Sequence, residues 1–312
     1  PVDVGHIHNF FPLLTPAAHE TLWTLGVPVV QTLHNYRLAC AHGGFLREGR
    51  NCEDCVSAGP WNAVRHGCWR GSRLATAVWA DTTSTHRRRG TWQRVDRFIA
   101  PSEFARRKLV ATGLPADRTQ VLPDAVEDRG VASRPGHGAL YVGRLSPEKG
   151  VGLLLDAWRQ LPDVPLRIVG SGPLADALQA RAAGLSNVTF VGEQPRERVA
   201  EEIAGAAFLV APSLCYETFG LAAAEALAAG RPIVVPRNTA LEELAAGGRT
   251  GLVFDSGDAA ALAAACRELA DESERAQSLG EEARAYFEEE LAPERRTAAL
   301  LSLYGSLATP ST

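Results

Sequence analysis

The chain has 312 residues, of which 46 % are hydrophobic and 22 % charged, and its net charge is −4. This length suits two domains of ordinary size, and the apolar content is enough for two buried cores. The weak negative charge excludes the strongly basic proteins that bind phosphate backbones, so we expect no nucleic-acid partner. No run approaches the roughly 18 apolar residues of a membrane span, and no signal peptide opens the chain. We therefore expect a cytoplasmic protein, with a peripheral position at the inner membrane face as the alternative.

The start of the chain is unusual. Its first residue is Pro1, the sequence contains no methionine, and residues Val4–His8 already have the pattern of a strand. We expect the natural N-terminal segment to be missing; a processed or short natural chain is the alternative.

Apolar runs and helical patterns alternate in the N-terminal half, as they do in βαβ units. The predicted strands are Val4–His8, Val27–Leu33, Arg97–Ala100 and Gln120–Leu122. The predicted helices are Pro16–Leu25, Glu103–Thr112 and one around Ser72–Thr85. Residues 1–123 are therefore predicted to form a Rossmann-like domain. Four strands are few for such a domain, so we expect this one to be incomplete.

Four cysteines lie close together in a segment, residues 36–70, that is predicted as an irregular insertion. Cys52 and Cys55 have the spacing of a chelating pair, and Cys40 and Cys68 lie on either side of them. In a cytosolic chain this pattern favours a structural zinc site of four thiolates. An iron–sulfur cluster, disulfides and free thiols are the alternatives, and two nearby histidines could replace a thiolate.

A basic run follows at His86–Arg89, with further arginines nearby. Its helical periodicity is poor, so we interpret it as a solvated charged face. Contact with an anionic acceptor or with a membrane surface is the alternative.

Residues 124–138 are rich in proline, glycine and charged side chains and are predicted as an interdomain linker. The following region repeats the strand–helix pattern six times. The predicted strands are Ala139–Val142, Leu166–Val169, Val188–Val191, Phe208–Ala211, Pro232–Val235 and Leu252–Phe254. The predicted helices are Leu153–Leu161, Leu174–Ala183, Arg198–Ala204, Leu221–Ala229, Leu241–Ala246 and Ala259–Leu269. Residues 139–282 are thus predicted as a doubly wound domain with a parallel sheet. Helices over 283–312 follow, and the N-terminal domain is their candidate packing partner.

Candidate ligand groups follow the first strand of this second domain. The segment Gly143–Gly150 lies between a strand and a helix, where ligands of open α/β sheets bind. Arg144 can present a planar fork to phosphate oxygens, and Lys149 adds a point charge. The two cations are predicted to grip a diphosphate; a loop with ordinary surface charges is the alternative.

A second segment, Ser213–Leu221, also follows a strand and opens a helix. Gly220 lets the backbone approach a ligand, and the amides and dipole of the helix start favour a phosphate. Glu217 lies in the loop and Glu225 lies inside the helix, so one carboxylate can face a sugar while the other reaches ribose hydroxyls. In a glutamate-rich chain, coincidence is the alternative.

The pattern Gly143-Arg144-x4-Lys149 followed by Glu217-x7-Glu225 resembles the retaining glycosyltransferases of glycosyltransferase family 4. The resemblance extends in order through most of residues 137–270. It includes the segments Val169–Pro173, Phe190–Gly192, Ala228–Val234 and Thr250–Phe254. The resemblance implies the GT-B fold, which has two Rossmann-like domains with parallel sheets facing across a cleft. It also implies that residues 1–123 form the acceptor-side domain.

The resemblance also implies roles for individual residues. Arg144 and Lys149 would bind the donor diphosphate, Glu217 would contact the transferred sugar, and Glu225 would hold the ribose. His34, in Thr32-Leu33-His34-Asn35, would lie against the donor sugar. The other implied donor-site residues are Gly143, Gly170, Gly172, Val191, Phe219, Gly220 and Leu221. Where the family often has a Gly-Gly pair, this chain has Arg237-Asn238-Thr239-Ala240, which leaves the sugar contacts of that loop open.

The implied reaction moves a hexose or N-acetylhexosamine from a UDP- or GDP-linked sugar to an acceptor hydroxyl. The acceptor would be a saccharide, a lipid-linked molecule or a small molecule, and no catalytic metal is expected. Two other functions are open: a GT-B sugar-nucleotide epimerase, which lacks these paired motifs, and a catalytically silent nucleotide-sugar-binding or scaffolding subunit.

Overall fold

The computed structural model describes residues 2–9, 11, 14–132 and 134–308. The chain forms two compact units, of which unit 1 comprises Pro1–Asp124, Glu217–Phe219 and Glu294–Thr312. Unit 2 comprises Ala125–Tyr216 and Gly220–Pro293. Residue 133 of the predicted linker and residues 309–312 of the predicted C-terminal helices lie outside the described residues.

Unit 1 is built around a four-stranded parallel sheet of order β1-β2-β5-β6, with a separate two-stranded antiparallel hairpin. The sheet strands are β1 Gly5–Ile7, β2 Val29–Thr32, β5 Arg97–Ala100 and β6 Thr119–Val121, and the hairpin strands are β3 Leu46–Arg47 and β4 Arg50–Asn51. The helices are α1 Ala17–Thr24, α2 Asp54–Ala58, α3 Asn62–His66, α4 Arg73–Arg88, α5 Glu103–Val110 and, from the end of the chain, α13 Pro293–Leu307.

Local sequence explains where these elements begin and what they bury. Ser72 and Ser102 cap α4 and α5, because each hydroxyl accepts the backbone N–H three residues later. Every residue of β2 is buried, as expected for a central parallel strand. Leu303 of α13 packs with buried Val30 of this strand, so the last helix contributes to the core of unit 1.

Unit 2 contains a six-stranded parallel sheet of order β12-β11-β10-β7-β8-β9. Its strands are β7 Ala139–Val142, β8 Leu166–Val169, β9 Val188–Gly192, β10 Phe208–Val210, β11 Ile233–Pro236 and β12 Gly251–Phe254. Its helices are α6 Val151–Trp158, α7 Ala175–Arg181, α8 Arg196–Gly205, α9 Leu221–Ala228, α10 Ala240–Leu244, α11 Ala259–Asp271 and α12 Ser273–Tyr286, followed by a π-helical turn at Phe287–Leu291. In chain order the strands have the arrangement 3-2-1-4-5-6 of a doubly wound fold.

The order in which strands are added to the sheet changes direction between β7 and β10. The switch point of this sheet therefore lies at the carboxyl ends of these two strands. The sheet is buried by helices such as α6, whose Trp158 is fully buried. The Trp158 indole N–H donates to the Val164 carbonyl oxygen at 2.9 Å, so this large apolar ring has no unpaired polar atom.

All ten predicted sheet strands and the predicted helices over residues 1–282 are confirmed, with ends that shift by a few residues. The interpretation of residues 36–70 as irregular was wrong, because this segment contains the β3–β4 hairpin and helices α2 and α3. Those elements are two to five residues long, which is too short to show a period in the sequence.

Candidate active site

The loops after β7 and β8, next to the switch point, are joined by backbone hydrogen bonds. The Leu145 N–H donates to the Ser171 carbonyl oxygen at 2.8 Å, and the Leu174 N–H donates to the Leu145 oxygen at 3.0 Å. A Cβ atom at Gly170 would lie 2.0 Å from the Gly143 carbonyl oxygen, and one at Gly172 would lie 2.4 Å from the Leu145 oxygen. Only glycine permits these contacts, so the predicted donor-site glycines hold the Arg144 loop against its neighbour.

The far end of the Arg144 loop touches the loop that leads into α9. The Leu214 N–H donates to the Glu148 carbonyl oxygen at 2.9 Å. Gly150 has φ +70°, and a Cβ atom there would lie 1.9 Å from the Pro212 carbonyl oxygen. The structure therefore brings the segment that carries Lys149 into contact with the segment that opens the helix.

The start of α9 presents backbone amides. Gly220 precedes the helix with φ +114°, and a Cβ atom there would meet the Leu241 side chain at 2.3 Å. The Ala224 N–H donates to the Gly220 oxygen and begins the helical ladder. The N–H groups of residues 221–223 come before Ala224 and receive no side-chain cap from the described residues, so they can bind an anion.

The loop after β9 joins the same edge of the sheet. The Gly170 N–H donates to the Gly192 carbonyl oxygen at 2.8 Å, and the Ser171 hydroxyl donates to a Glu193 carboxylate oxygen at 2.6 Å. The predicted donor-site residue Val191 lies within β9, next to these contacts. Four strand ends of unit 2 thus supply one continuous set of loops.

Glu225 lies in the second turn of α9 with an exposed side chain. Burial of its carboxyl by the surrounding chain raises its pKa, Arg196 and Arg129 oppose this shift, and Glu127 adds to it. Because the side chain is exposed, solvent screens the effect. The carboxyl oxygens are available as hydrogen-bond acceptors for hydroxyl groups.

Glu217 and Phe219 belong to unit 1, although the residues on either side belong to unit 2. The Tyr36 hydroxyl donates to the Glu217 carbonyl oxygen at 3.0 Å, and the Thr218 hydroxyl donates to the His34 carbonyl oxygen at 3.0 Å. These contacts bring the predicted site residues Glu217 and His34 into one cluster. The sequence pattern, a loop followed by a helix from residue 221, did not predict that residues 217–219 belong to a different unit from the residues on either side of them.

His34 follows β2 and makes contacts that the sequence did not reveal. Its Nε2 lies 2.8 Å from Nδ1 of His8, and its Nδ1 lies 3.7 Å from a carboxylate oxygen of Asp124. The His8 and His34 rings stack with centroids 5.1 Å apart. Asp124 in turn lies 3.5 Å from the Arg296 guanidinium of α13. The spacing His6-Ile7-His8 at the end of a strand was the one signal of this cluster.

His6 completes the stack. Its ring lies 4.3 Å from that of His8, and its two nitrogens contact the Tyr304 hydroxyl and the Thr32 hydroxyl. Its pKa is lowered to about 4, first by burial and then by the neighbouring His8, Arg296 and His34. The pKa of His8 is lowered as well, again mainly by burial. Both rings are therefore neutral at neutral pH.

The predicted structural zinc site is not supported. Cys40, Cys52, Cys55 and Cys68 line one small cavity, but within the described residues no group of three or more His, Cys, Asp or Glu side chains is placed to hold a metal ion. All four are free thiols. Burial is the main reason that the pKa of Cys55 is raised to about 12, and it also raises those of Cys40 and Cys68. Burial thus favours the neutral form of these three thiols over the thiolate that zinc requires.

None of the described helices is long and apolar enough to cross a membrane.

Comparison with known proteins assigns both halves of the chain. A family model described as "Glycosyltransferase Family 4" matches residues 1–129, and one described as "Glycosyl transferases group 1" matches residues 136–272. The chain is 33 % identical over 180 residues to phosphatidyl-myo-inositol mannosyltransferase of Mycobacterium leprae, covering 53 % of this chain and 47 % of that protein. It is 39 % identical over 163 residues to glycogen synthase of Mycobacterium tuberculosis, covering 49 % of this chain and 39 % of that one. The chain spans about half the length of these relatives or less.

Solved structures show the same fold. HepE from Anabaena, in complex with UDP, matches 97 % of this chain and 79 % of its own length, with a TM-score of 0.72 and 17 % identity. Sucrose-phosphate synthase from Thermosynechococcus elongatus matches 98 % of this chain and 73 % of its own, with a TM-score of 0.72 and 22 % identity. The two parallel sheets are thus those of a GT-B glycosyltransferase fold. Since the two family models between them match most of the chain, the chain belongs to glycosyltransferase family 4.

Proposed function

We propose that this chain is a retaining glycosyltransferase that moves a hexose or N-acetylhexosamine from a nucleotide-diphosphate sugar to an acceptor hydroxyl. Two relatives support the donor class: a GDP-mannose-dependent mannosyltransferase of Mycolicibacterium smegmatis is 32 % identical over 185 residues, and the similar HepE structure contains UDP. The name of the phosphatidyl-myo-inositol mannosyltransferase supports a lipid-linked acceptor, beside a saccharide or a small molecule.

The observation that carries this proposal is the contact between the Lys149 loop and the loop that opens α9. Phosphate oxygens placed there would meet an arginine, a lysine and the free amides of a helix start. In the proposed complex Arg144 and Lys149 bind the diphosphate, Gly220 and Leu221 offer N–H groups, and Glu225 accepts from the ribose hydroxyls. The remaining proposed donor-site residues are Gly143, Gly170, Gly172, Val191 and Phe219.

The proposed reaction breaks the bond between the sugar anomeric carbon and the diphosphate and forms a bond from that carbon to the acceptor oxygen on the same face. The diphosphate leaves with the bonding electron pair, and its oxygen takes the acceptor proton. Negative charge grows on the leaving group in the transition state, so Arg144 and Lys149 stabilise it more than they stabilise the bound donor. His34 and Glu217 of unit 1 are proposed to contact the transferred sugar.

Donor binding is tested by thermal unfolding in the presence of a panel of UDP- and GDP-linked sugars. A ligand that binds only the folded protein raises the unfolding temperature, so one member of the panel is expected to do so. Lys149→Ala should remove most of that increase. The matched control is Lys108→Ala, which deletes the only other lysine of the sequence, a residue of unit 1 paired with Glu53 at 2.5 Å.

Transfer is tested with the donor that gives the increase. Product formation with retained anomeric configuration, read by NMR, is the expected result, and an inverted product would refute the retaining mechanism. A donor that binds but is never consumed, with any acceptor class, would instead establish the catalytically silent subunit. Failure of the whole panel to shift unfolding, or equal shifts for the Lys149→Ala variant and the parent protein, would reject the donor site.

A further inference from the structure

Arg37 is a cation that the fold holds in place without an anion among the described residues. It lies in the turn after β2, where its N–H donates to the Asn35 side-chain oxygen at 3.0 Å and its carbonyl oxygen accepts from the Trp79 indole at 3.0 Å. A Cβ atom at Gly43 would lie 3.1 to 3.3 Å from the Arg37 side chain, so a glycine there leaves room for it. The position of the Arg37 backbone and stem is therefore fixed by three neighbours.

The guanidinium of Arg37 is only partly satisfied. Its carbon lies 4.8 Å from the centroid of the Trp69 ring, which is a cation–π contact. Its Nε is buried and has no hydrogen-bond partner in the part of the chain that the structure describes. Within the described part of the chain no carboxylate lies within ion-pair distance of it. Burial, and after it the charge of Arg70, lowers the pKa of this guanidinium, which shows that the surroundings disfavour its charge.

A second arginine adds to the same positive field. Arg70 lies over the same Trp69 ring, with its guanidinium carbon 5.6 Å from the centroid. Its backbone has φ +54°, a conformation that side-chain-bearing residues rarely adopt. The chain thus accepts backbone strain and the repulsion of two like charges at this place. Strain and unpaired charge persist at sites where a ligand compensates them.

The Arg37 side chain lines an open pocket at the carboxyl end of β2, which is the edge where open α/β sheets bind ligands. The pocket also contains Asn9 and Asn35, whose side-chain amides can donate hydrogen bonds. No acidic side chain lines it among the described residues. Its chemistry is that of a receptor for an oxyanion, and it adjoins the histidine proposed to act in transfer.

We propose that this pocket binds a phosphate group of the acceptor through Arg37, with Arg70 supplying additional charge. Two cations suit the double charge of a phosphate monoester better than the single charge of a carboxylate. The inference rests on the proposed function, because it names the acceptor as a phosphorylated molecule whose hydroxyl receives the sugar. Arg37 fixes the phosphate, and this contact orients the rest of the acceptor.

The test is a titration with inorganic phosphate at constant ionic strength, monitored through the NMR signal of the Arg37 Nε–H. This signal is assigned by its loss in the Arg37→Gln variant. The protein and its variant both carry Lys149→Ala, so that phosphate bound at the donor loops does not contribute. We expect a saturable shift of that signal. Calorimetric affinity for phosphate should fall at least ten-fold with Arg37→Gln and less with Arg70→Gln. Arg50→Gln, a change of an exposed arginine on β4, is the control and should leave the affinity unchanged.

The second arm compares glucose 6-phosphate, glucuronate and glucose as ligands of the same protein. Tighter binding of glucose 6-phosphate that is lost in Arg37→Gln supports the inference. Equal or tighter binding of glucuronate, or a signal that does not move with phosphate, overturns it. Because this titration uses neither a nucleotide sugar nor Lys149, its result is independent of the donor-binding experiment.

Discussion

The two sheets of this protein hold the residues at their carboxyl ends in different ways. In unit 2 the loops after β7, β8 and β10 are joined by main-chain hydrogen bonds, and glycines such as Gly150 and Gly170 let the backbones touch. In unit 1 the corresponding edge is joined by side chains, with His34 held between His8 and Asp124. A main-chain arrangement leaves a local pattern of glycines in the sequence, whereas a side-chain arrangement leaves scattered single residues. The comparison therefore predicts different consequences for substitutions in the two units.

The largest effect is expected from Gly150→Ala in unit 2. The new Cβ would lie 1.9 Å from the Pro212 carbonyl oxygen, at φ +70°, so the two loops must separate. We expect the free energy of unfolding to fall by about 3 kcal/mol, from strain and lost packing together. Gly184→Ala is the matched control, because Gly184 also has a positive φ, +93°, but nothing lies within 4 Å of its Cβ position. That change should cost about 1 kcal/mol.

Urea unfolding of both variants measures the difference, and nucleotide-sugar affinity measures its effect on the site. Equal losses of stability for the two alanines would mean that contact between the loops does not stabilise unit 2. Full donor affinity in Gly150→Ala would mean that the contact does not shape the donor site.

The segments proposed to bind the donor could be located in the sequence because each one is local. Arg144, Lys149 and Glu225 follow strands that the apolar runs identify, and the strand order then brings their loops to one edge. The partners of His34 could not be predicted in this way. Asp124 lies in the predicted linker and Arg296 in the last helix, far along the chain, and only folding shows that they meet.

The partners of His34 were missed, whereas for the thiols the sequence predicted a site that the structure does not support. The spacing of Cys52 and Cys55 suggested a metal site, but spacing alone carries no information on burial or on side-chain direction. In the fold the four thiols line one pocket, and burial raises the pKa of three of them, Cys40, Cys55 and Cys68. A chelating pattern becomes a site only when the backbone aims its donors at one point.

An intermediate effect is expected from Asp124→Asn in unit 1. The 2.8 Å contact between His8 and His34 contains a single proton, so one ring donates and the other accepts. The Asp124 carboxylate favours a proton on Nδ1 of His34, which leaves Nε2 as the acceptor. Loss of that charge should change the tautomer of His34 and lower kcat by about ten-fold. Nitrogen NMR of the imidazoles reports the tautomer, and a transfer assay reports kcat.

Asp117→Asn is the control for the loss of a carboxylate, because the Asp117 side chain is 80 % exposed and lies 3.9 Å from Arg118 alone among the described basic residues. It should change neither readout. An unaltered His34 tautomer in Asp124→Asn would show that the side-chain contacts of unit 1 do not orient this histidine.

The smallest effect concerns the pH dependence of stability and the neutral His6, which is one of the three stacked histidines. Its pKa of about 4 lies below the ordinary 6.5, so between these values the unfolded chain binds a proton that the folded chain does not. Stability is therefore complete above pH 6.5 and falls as the pH decreases toward 4. Because His6 is only half-buried, solvent screening reduces the loss between pH 7 and pH 5 to about 1 kcal/mol. Urea unfolding at both values should show this loss in the parent protein and in His66→Gln, a change of an exposed histidine, but less of it in His6→Gln. The same decrease in all three proteins would place the acid sensitivity elsewhere. The expected difference would show that the side-chain contacts of unit 1 make its stability depend on pH. The main-chain contacts of unit 2 include no titratable group and give no such dependence.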